Sequence, residues 1–275
     1  MSQNVLVVHG GGPTAVINAS LYGVIEEAKR NPEVGKVYGA IGGTGAIFSE
    51  TFIDLTSFDD EKLKLLLHTP ASAIGSSRYP LYEKDYEKMV DIFKKHDIKY
   101  VLLNGGNGTM DACGHIYEVC KDQDIKVVGI PKTIDNDIAM TDHSPGYGSA
   151  ARFIAASTQE VGEDVKSLPI HVCIMEAMGR NAGWITAASA LARRKQGDAP
   201  HLIYLPERNF NEDEFLEDVS RLQKKQGGVV VLVSEGLHDA NGESIVPPIF
   251  KSERAVYYGD VSSHLANLVV KKLGV

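Results

Sequence analysis

Cysteine is scarce in this chain of 275 residues, which contains only Cys113, Cys120 and Cys173. An odd number of cysteines without a C-x-x-C pair argues against a disulfide framework and against a zinc site. We therefore expect small, semi-buried thiols in a reducing compartment.

Long apolar segments are missing as well. The N-terminal sequence lacks the charged segment and following apolar segment of a signal peptide. No run approaches the roughly 18 apolar residues of a membrane span. We therefore predict a cytoplasmic protein without a membrane partner.

Basic charge is not in excess, since 28 Lys and Arg residues stand against 36 Asp and Glu residues, a formal net charge of −8. Nucleic acids require a basic surface, so we expect no nucleic-acid partner. A small anionic substrate remains compatible with this balance, because a few local cations are enough to bind it.

Along the chain, short apolar segments typical of strands alternate with segments that have a helical pattern. Apolar segments such as Asn4–Val8, Lys99–Leu103 and Lys126–Ile130 alternate with helical patterns such as Ala15–Lys29 and Tyr82–Lys95. This order predicts the α/β class, with two Rossmann-like lobes whose mostly parallel sheets are covered by helices. Ligands of such sheets bind at the carboxyl ends of the strands, and the polar, glycine-rich motifs of this chain follow predicted strands.

The alternation is interrupted at residues 139–146, which indicates a boundary between the lobes. We expect one lobe at residues 1–140, joined by a C-terminal helix at residues 257–275. The second lobe is expected at residues 141–256. No low-complexity linker and no short repeat marks the boundary.

The first glycine motif is Gly10–Thr14, after the first predicted strand. Glycines let the backbone approach a ligand closely, and the following helix offers free N–H groups to an anion. A tight turn without a ligand is the alternative interpretation. The motif is not a P-loop, because no G-K-[ST] follows it.

The second glycine motif is Asn104–Thr109, which repeats the order of strand, glycine turn and helix. The helix N-terminus and the Thr109 hydroxyl are candidates for binding phosphate oxygens. Asn107 offers a carbonyl oxygen to Mg²⁺, and its alternative role is that of a helix cap.

The segment Pro131–Asp137 carries the strongest chemical signal. Phosphoryl transfer to an alcohol needs a base, a cation on the phosphate and a positioning donor. Asp135, Asp137, Lys132 and Thr133 supply candidates for all three within one segment. An Asx-rich turn is the alternative.

Two further motifs follow predicted strands. Arg180, in Met175–Gly183, is a candidate clamp for a phosphate or a sugar hydroxyl, although an arginine at a strand end often forms a surface salt bridge instead. Glu235, at the end of the apolar run Val229–Val233, is a candidate acceptor for sugar hydroxyls.

Together, Gly10–Thr14, Asn104–Thr109, Pro131–Asp137, Met178–Arg180 and Glu235 resemble the motifs of the phosphofructokinase family, in order and from residue 3 to the end of the chain. The resemblance implies phosphoryl transfer to the 1-hydroxyl of fructose 6-phosphate, which gives fructose 1,6-bisphosphate in glycolysis. It also implies Mg²⁺ as cofactor and a homodimer or homotetramer. The lobe at residues 1–140 would bind the donor phosphates, and the lobe at 141–256 the sugar phosphate.

The resemblance also assigns roles to single residues. Asp135 matches the general base that takes the proton of the sugar 1-hydroxyl. Lys132 matches a position that stabilises the transferring charge, and Arg180 is expected to take part in catalysis as well. Substrate contacts are implied for six residues: Thr133, Asp137, Met178, Gly179, Arg180 and Glu235.

Contacts with the donor are implied for six other residues: Gly11, Arg78, Gly106, Asn107, Gly108 and Thr109. Asn107 also matches the Mg²⁺ position, which is usually an aspartate in the family.

The nature of the donor is left open by a mixed signature. In the family, an aspartate at the Gly108 position excludes ATP, whereas a glycine leaves room for it. Lys132 is typical of pyrophosphate enzymes, and the segments Gly11–Asn18 and Thr141–Ala150 resemble the pyrophosphate-using branch. We favour ATP narrowly, because an open site admits ATP whereas Lys132 would help either donor; pyrophosphate is the alternative.

Two other functions are compatible with parts of the sequence. NAD kinase and lipid kinases share a similar glycine loop, but they lack Pro131–Asp137. A non-catalytic regulatory chain is the other alternative, because the family continues past the position of Val275 with a segment that binds the sugar 6-phosphate. We therefore expect this chain alone to bind fructose 6-phosphate poorly.

Overall fold

The structure, a computed structural model, describes residues 3–168, 172–251 and 256–275. The chain divides into two compact units. The first comprises Met1–Thr133 and Ile138–Gly146, and the second comprises Ile134–Asp137 and Tyr147–Val275. The chain therefore passes between the units three times within a short stretch, rather than once near residue 140.

The first unit contains a five-stranded sheet. Its strands lie in the order β3-β2-β1-β4-β5, and all neighbours are parallel except β2 and β3. In chain order the strands are β1 Gln3–His9, β2 Val34–Ala40, β3 Phe52–Asp54, β4 Ile98–Gly105 and β5 Lys126–Pro131. Because β1, β4 and β5 are parallel neighbours, their carboxyl ends meet at one edge of the sheet.

Helices lie on both faces of this sheet. They are α1 Ala15–Arg30, α2 Gly45–Phe48, α3 Asp60–Lys64, α4 Glu83–Lys95 and α5 Asn107–Cys120, with short 3-10 turns at Leu55–Ser57 and Leu65–His68. On one face, Phe93 of α4 and Ile116 of α5 pack against Leu6. On the other, Leu21 of α1 packs in a cluster with Val7. Successive residues of β1 are thus buried on opposite faces, which explains its uninterrupted apolar sequence.

The cysteines behave as structural thiols. Cys113 and Cys120 are buried in the core of the first unit, and Cys173 is half-buried in the second. Burial raises the pKa of the Cys120 thiol to about 11, so this thiol is protonated and unreactive at neutral pH.

The second unit contains a three-stranded parallel sheet and a separate antiparallel ribbon. The sheet has the order β6-β8-β7, and the ribbon pairs β9 with β10. In chain order its elements are α6 Tyr147–Ser167, β6 Val172–Ala177, α7 Trp184–Ala188, a 3-10 turn Ser189–Ala192, β7 Leu202–Tyr204, α8 Glu212–Gln226, β8 Val229–Ser234, β9 Pro248–Lys251, β10 Val256–Tyr258 and α9 Val261–Leu273.

The C-terminal helix α9 corrects one expectation from the sequence. Val261, Leu265 and Val269 lie in the same buried cluster as Val231 of β8, so the helix belongs to the second unit and does not join the first. In addition, the backbone N–H of Ser262 donates to a carboxylate oxygen of Glu176 at 2.8 Å. The apolar stripe of α9 predicts that one face is buried, but it does not identify the sheet that covers it.

The fold class predicted from the sequence is confirmed, since both units contain parallel sheets with helices packed on them. In the described part of the chain, no helix combines the length and the apolar character that a membrane crossing requires.

Candidate functional site

The glycine motifs of the first unit meet at the carboxyl edge of its sheet. The backbone N–H of Gly10, after β1, donates to the carbonyl of Asn104 at 2.9 Å, and the N–H of Lys132, after β5, donates to the carbonyl of Gly105 at 2.9 Å. Three motifs that are far apart in sequence are therefore tied together by their backbones.

Thr109 packs these loops against one another. A β-carbon on either Gly10 or Gly105 would overlap the hydroxyl oxygen of Thr109, and on Gly105 it would also lie 2.6 Å from the carbonyl oxygen of Gly10. Only glycine fits at these two positions. Thr109 is 8% exposed, so its first role is packing, and its contact with a phosphate stays a prediction.

Lys132 brings a buried cation to the first glycine loop. Its side chain is 5% exposed, and the ammonium group donates to the carbonyl oxygen of Gly12. An ammonium held in a glycine-lined turn is positioned to neutralise an anion that binds there.

His9, which the sequence interpretation did not include, lies buried at the end of β1. Its Nδ1 is 2.8 Å from Oγ of Ser72, and that hydroxyl donates to the carbonyl of Gly75 at 2.8 Å. Since Ser72 has one proton and donates it to Gly75, Nδ1 of His9 carries the proton of their shared hydrogen bond. Burial, and secondly the charge of Lys132, lower the pKa of His9 to about 4. A neutral His9 therefore neighbours the charged Lys132.

The segment before Arg78 is anchored to the first glycine loop, and the donor contact of Arg78 stays a prediction. The N–H of Gly11 donates to the carbonyl of Ser77 at 3.2 Å, and the hydroxyl of Ser76 donates to the carbonyl of Gly11 at 2.7 Å. Gly11 has a φ of +72°, a conformation that glycine adopts without strain. The exposed Arg78 directly follows this anchored segment.

The N-terminus of α5 forms the other side of the predicted donor site. The helix begins at Asn107, after Gly106, and both Asn107 and Gly108 are exposed. A β-carbon on Gly108 would meet no atom within 4 Å. This position therefore has room for a ligand. The ligand is expected to be an anion, because the first turn of a helix presents N–H groups and a positive dipole end.

The segment Pro131–Asp137 crosses from the first unit to the second. Thr133 is held in the first unit, because its N–H donates to the carbonyl of Pro145 at 3.2 Å. Ile134 packs in a core of the second unit, and Asn136 turns the chain with a φ of +59°. Asp135 is half-buried and Asp137 is exposed. Lys132 and Asp135 are thus held by different units of the chain.

In the second unit, the ends of β6 and β8 join two of the predicted motifs. The N–H of Gly179 donates to a carboxylate oxygen of Glu235 at 3.1 Å, and the hydroxyl of Ser234 donates to the carbonyl of Gly179 at 2.8 Å. A β-carbon on Gly236 would overlap the carbonyl oxygen of Arg180. The two motifs therefore form one closely packed unit.

A cavity of about 380 Å³ opens beside these motifs. Of the residues with predicted substrate contacts, Arg180 and Glu235 line it, whereas Met178 is an exposed side chain outside the lining. The lining also includes residues that the sequence interpretation missed: Asn181, His238, Ser244 and Tyr258. A cation, a carboxylate and several hydroxyl or amide groups suit a polyhydroxylated anion.

The described residues contain no group of three or more His, Cys, Asp or Glu side chains that could hold a metal ion. Mg²⁺ commonly uses few protein ligands and takes the rest from water and substrate phosphates. Asn107 fits such a role, because it is exposed at the N-terminus of α5, where we predict that phosphate binds.

Known proteins are similar to this chain over most of its length. The model of the phosphofructokinase family matches residues 4–274. A pyrophosphate–fructose 6-phosphate 1-phosphotransferase of Rhodospirillum rubrum is 42% identical over 281 residues, covering 98% of this chain and 69% of the relative. A protein of the same name from Halomonas elongata is 40% identical, covering 87% of this chain and 60% of the relative.

A solved structure is also similar over nearly the whole chain. The pyrophosphate-dependent phosphofructokinase of Marinobacter aquaeolei has a TM-score of 0.85 and 38% identity, and the match covers 99% of this chain and 66% of that one. This chain thus spans about two thirds of the length of the relatives it matches. It belongs to the phosphofructokinase family, whose members are phosphotransferases that act on an alcohol group.

Proposed function

We propose that this chain transfers a phosphoryl group from pyrophosphate to the 1-hydroxyl of fructose 6-phosphate. The observation that carries the proposal is the buried ammonium group of Lys132 at the carbonyl of Gly12, because a fixed cation among glycine turns suits a compact, highly charged donor. Relatives that are 42% and 40% identical are named as pyrophosphate enzymes, which also supports this donor. The proposal therefore replaces ATP, which we favoured from the sequence.

On the donor side, the first turn of α5 and Lys132 would offset the charge of the diphosphate. Arg78 would add a guanidinium that binds phosphate oxygens in pairs. Asn107 would be the protein ligand of Mg²⁺. When bound, that ion neutralises phosphate charge and helps the leaving phosphate depart.

On the acceptor side, Asp135 would take the proton of the sugar 1-hydroxyl as its oxygen bonds to phosphorus and the bond to the leaving phosphate breaks. Thr133 and Asp137 would position this hydroxyl. Glu235 would accept hydrogen bonds from other sugar hydroxyls. The guanidinium of Arg180 would bind the negatively charged sugar phosphate.

An assay coupled to fructose 1,6-bisphosphate formation tests the donor directly, with pyrophosphate and ATP supplied separately at equal Mg²⁺. We expect a higher kcat/KM with pyrophosphate. A higher value with ATP would overturn the choice of donor but not the choice of acceptor.

ATP is the second candidate, and one observation favours it. The space beside Gly108 is open, so this position offers no steric obstacle to a larger donor. The further expectations of Mg²⁺ dependence, a homodimer or homotetramer, a cytoplasmic location and a role in glycolysis stay predictions.

A further inference from the structure

An aromatic ring supports the arginine of the second-unit cavity. The guanidinium carbon of Arg180 lies 5.5 Å from the ring centroid of Tyr258. This distance is within the range of a cation–π interaction. Both residues line the cavity that also contains Glu235.

The position of this ring is set by contacts that flank it. Tyr258 ends β10 and pairs with Pro248 of β9. A few residues later, the N–H of Ser262 donates to Glu176 near the end of β6 at 2.8 Å. Because Arg180 follows Glu176 closely and Tyr258 precedes Ser262 closely, this hydrogen bond holds the ring near the guanidinium.

Within residues 3–168, 172–251 and 256–275, Arg180 is not held by a carboxylate. Arg30 and Arg221 each pair with an acidic residue three positions earlier on their helices. For Arg180, no carboxylate of the described residues comes within the 4.0 Å that defines such a pair. Nearby Glu235 instead accepts a hydrogen bond from the N–H of Gly179.

The type of support decides what Arg180 can do. A carboxylate partner would occupy some of the guanidinium N–H donors and neutralise its charge. An aromatic ring attracts the cation through its π-system and, unlike a carboxylate, does not neutralise the charge or accept the guanidinium N–H groups as strong hydrogen-bond donors. We propose that Tyr258 is a positioning residue that orients Arg180 to bind the anionic sugar substrate. This inference rests on the proposed function, because it concerns the same cavity.

The test compares Tyr258→Leu, Tyr258→Phe and Tyr257→Leu in steady-state kinetics with pyrophosphate. We expect Tyr258→Leu to raise the KM for fructose 6-phosphate about tenfold while the KM for pyrophosphate stays unchanged. Tyr258→Phe keeps the ring and should restore the KM. Tyr257 is a matched control on the same strand, since its ring is exposed and packs at a tilted angle against Phe250 outside the cavity.

A binding measurement and a spectrum separate the outcomes. Calorimetric titration should show a lower affinity for fructose 6-phosphate in Tyr258→Leu and the original affinity in Tyr258→Phe. The ring current of Tyr258 should shift the Nε–H resonance of Arg180, and this shift should vanish only in the leucine variant. If the leucine variant leaves affinity and resonance unchanged, or Tyr257→Leu weakens binding equally, the inference is wrong. If the unaltered chain binds the sugar but transfers no phosphoryl group, the proposed function fails, and the binding series still decides the role of Tyr258.

Discussion

A β-carbon on Gly10 would overlap the hydroxyl oxygen of Thr109 and lie 3.0 Å from its methyl carbon. The loop after β1 and the first turn of α5 are therefore in contact through a glycine on one side and a buried threonine on the other. This contact joins two loops of the predicted donor site.

Gly10→Ala should destabilise the protein by about 1–3 kcal/mol, because the added methyl group overpacks a closed contact. Thr109→Ala should relieve much of this cost, so a double-mutant cycle in urea should give a coupling of at least about 1 kcal/mol. Gly12→Ala is the matched control, since a β-carbon there meets no atom within 4 Å. Additive effects of the two substitutions would show that the contact is absent.

Asp135→Ser should lower kcat by about 10²–10⁴-fold, because it removes the proposed general base. The KM for pyrophosphate should change little, since Asp135 lies in the second unit and the donor loops lie in the first. Steady-state kinetics with each substrate varied in turn measure both effects. Near-full activity in the serine variant would refute the role of Asp135.

Gly108→Asp should discriminate between the two donors. The open space at Gly108 accepts the side chain without a clash, and a carboxylate in the first turn of α5 is favoured by the helix dipole. It should lower any ATP-dependent rate by more than about tenfold, by repelling the additional phosphate of a nucleotide. The pyrophosphate-dependent rate should change far less. An equal loss with both donors would contradict this prediction.

His9 should make the protein less stable in acid. Its pKa is about 4 in the folded chain, lowered by burial and then by Lys132 from the usual 6.5. The unfolded chain therefore binds a proton first as the pH falls. The contribution of neutral His9 to the free energy of unfolding is fully present above pH 6.5. It is lost as the pH falls towards 4, and the loss is about 3 kcal/mol.

Urea unfolding of the unaltered chain and of His9→Gln at several pH values between 7.5 and 4.5 measures this effect. Glutamine can still donate to Ser72, but it does not titrate. The difference in stability between the two proteins should shift in favour of the glutamine variant as the pH falls. A difference that is constant with pH would show that His9 is not held neutral by the fold.

Much of the candidate site could be predicted from local sequence. Gly10–Thr14, Asn104–Thr109 and Pro131–Asp137 each follow an apolar strand, and parallel sheets gather such loops at one edge. The pairing of β1 with β4 and of β4 with β5 confirms that they meet. His9 and Tyr258 could not be found in this way, because neither has a local pattern that distinguishes it from a core or surface residue.

The sequence by itself determined the fold class, the main parallel strands and longer helices, and the residue types that follow those strands, because periodicity and glycine turns depend on near neighbours along the chain. Tertiary structure alone decided that α9 packs in the second unit, that His9 bonds to Ser72, and that Tyr258 supports Arg180. These relationships depend on which apolar faces pack together. An amphipathic pattern shows that a face is buried, but not what it is buried against.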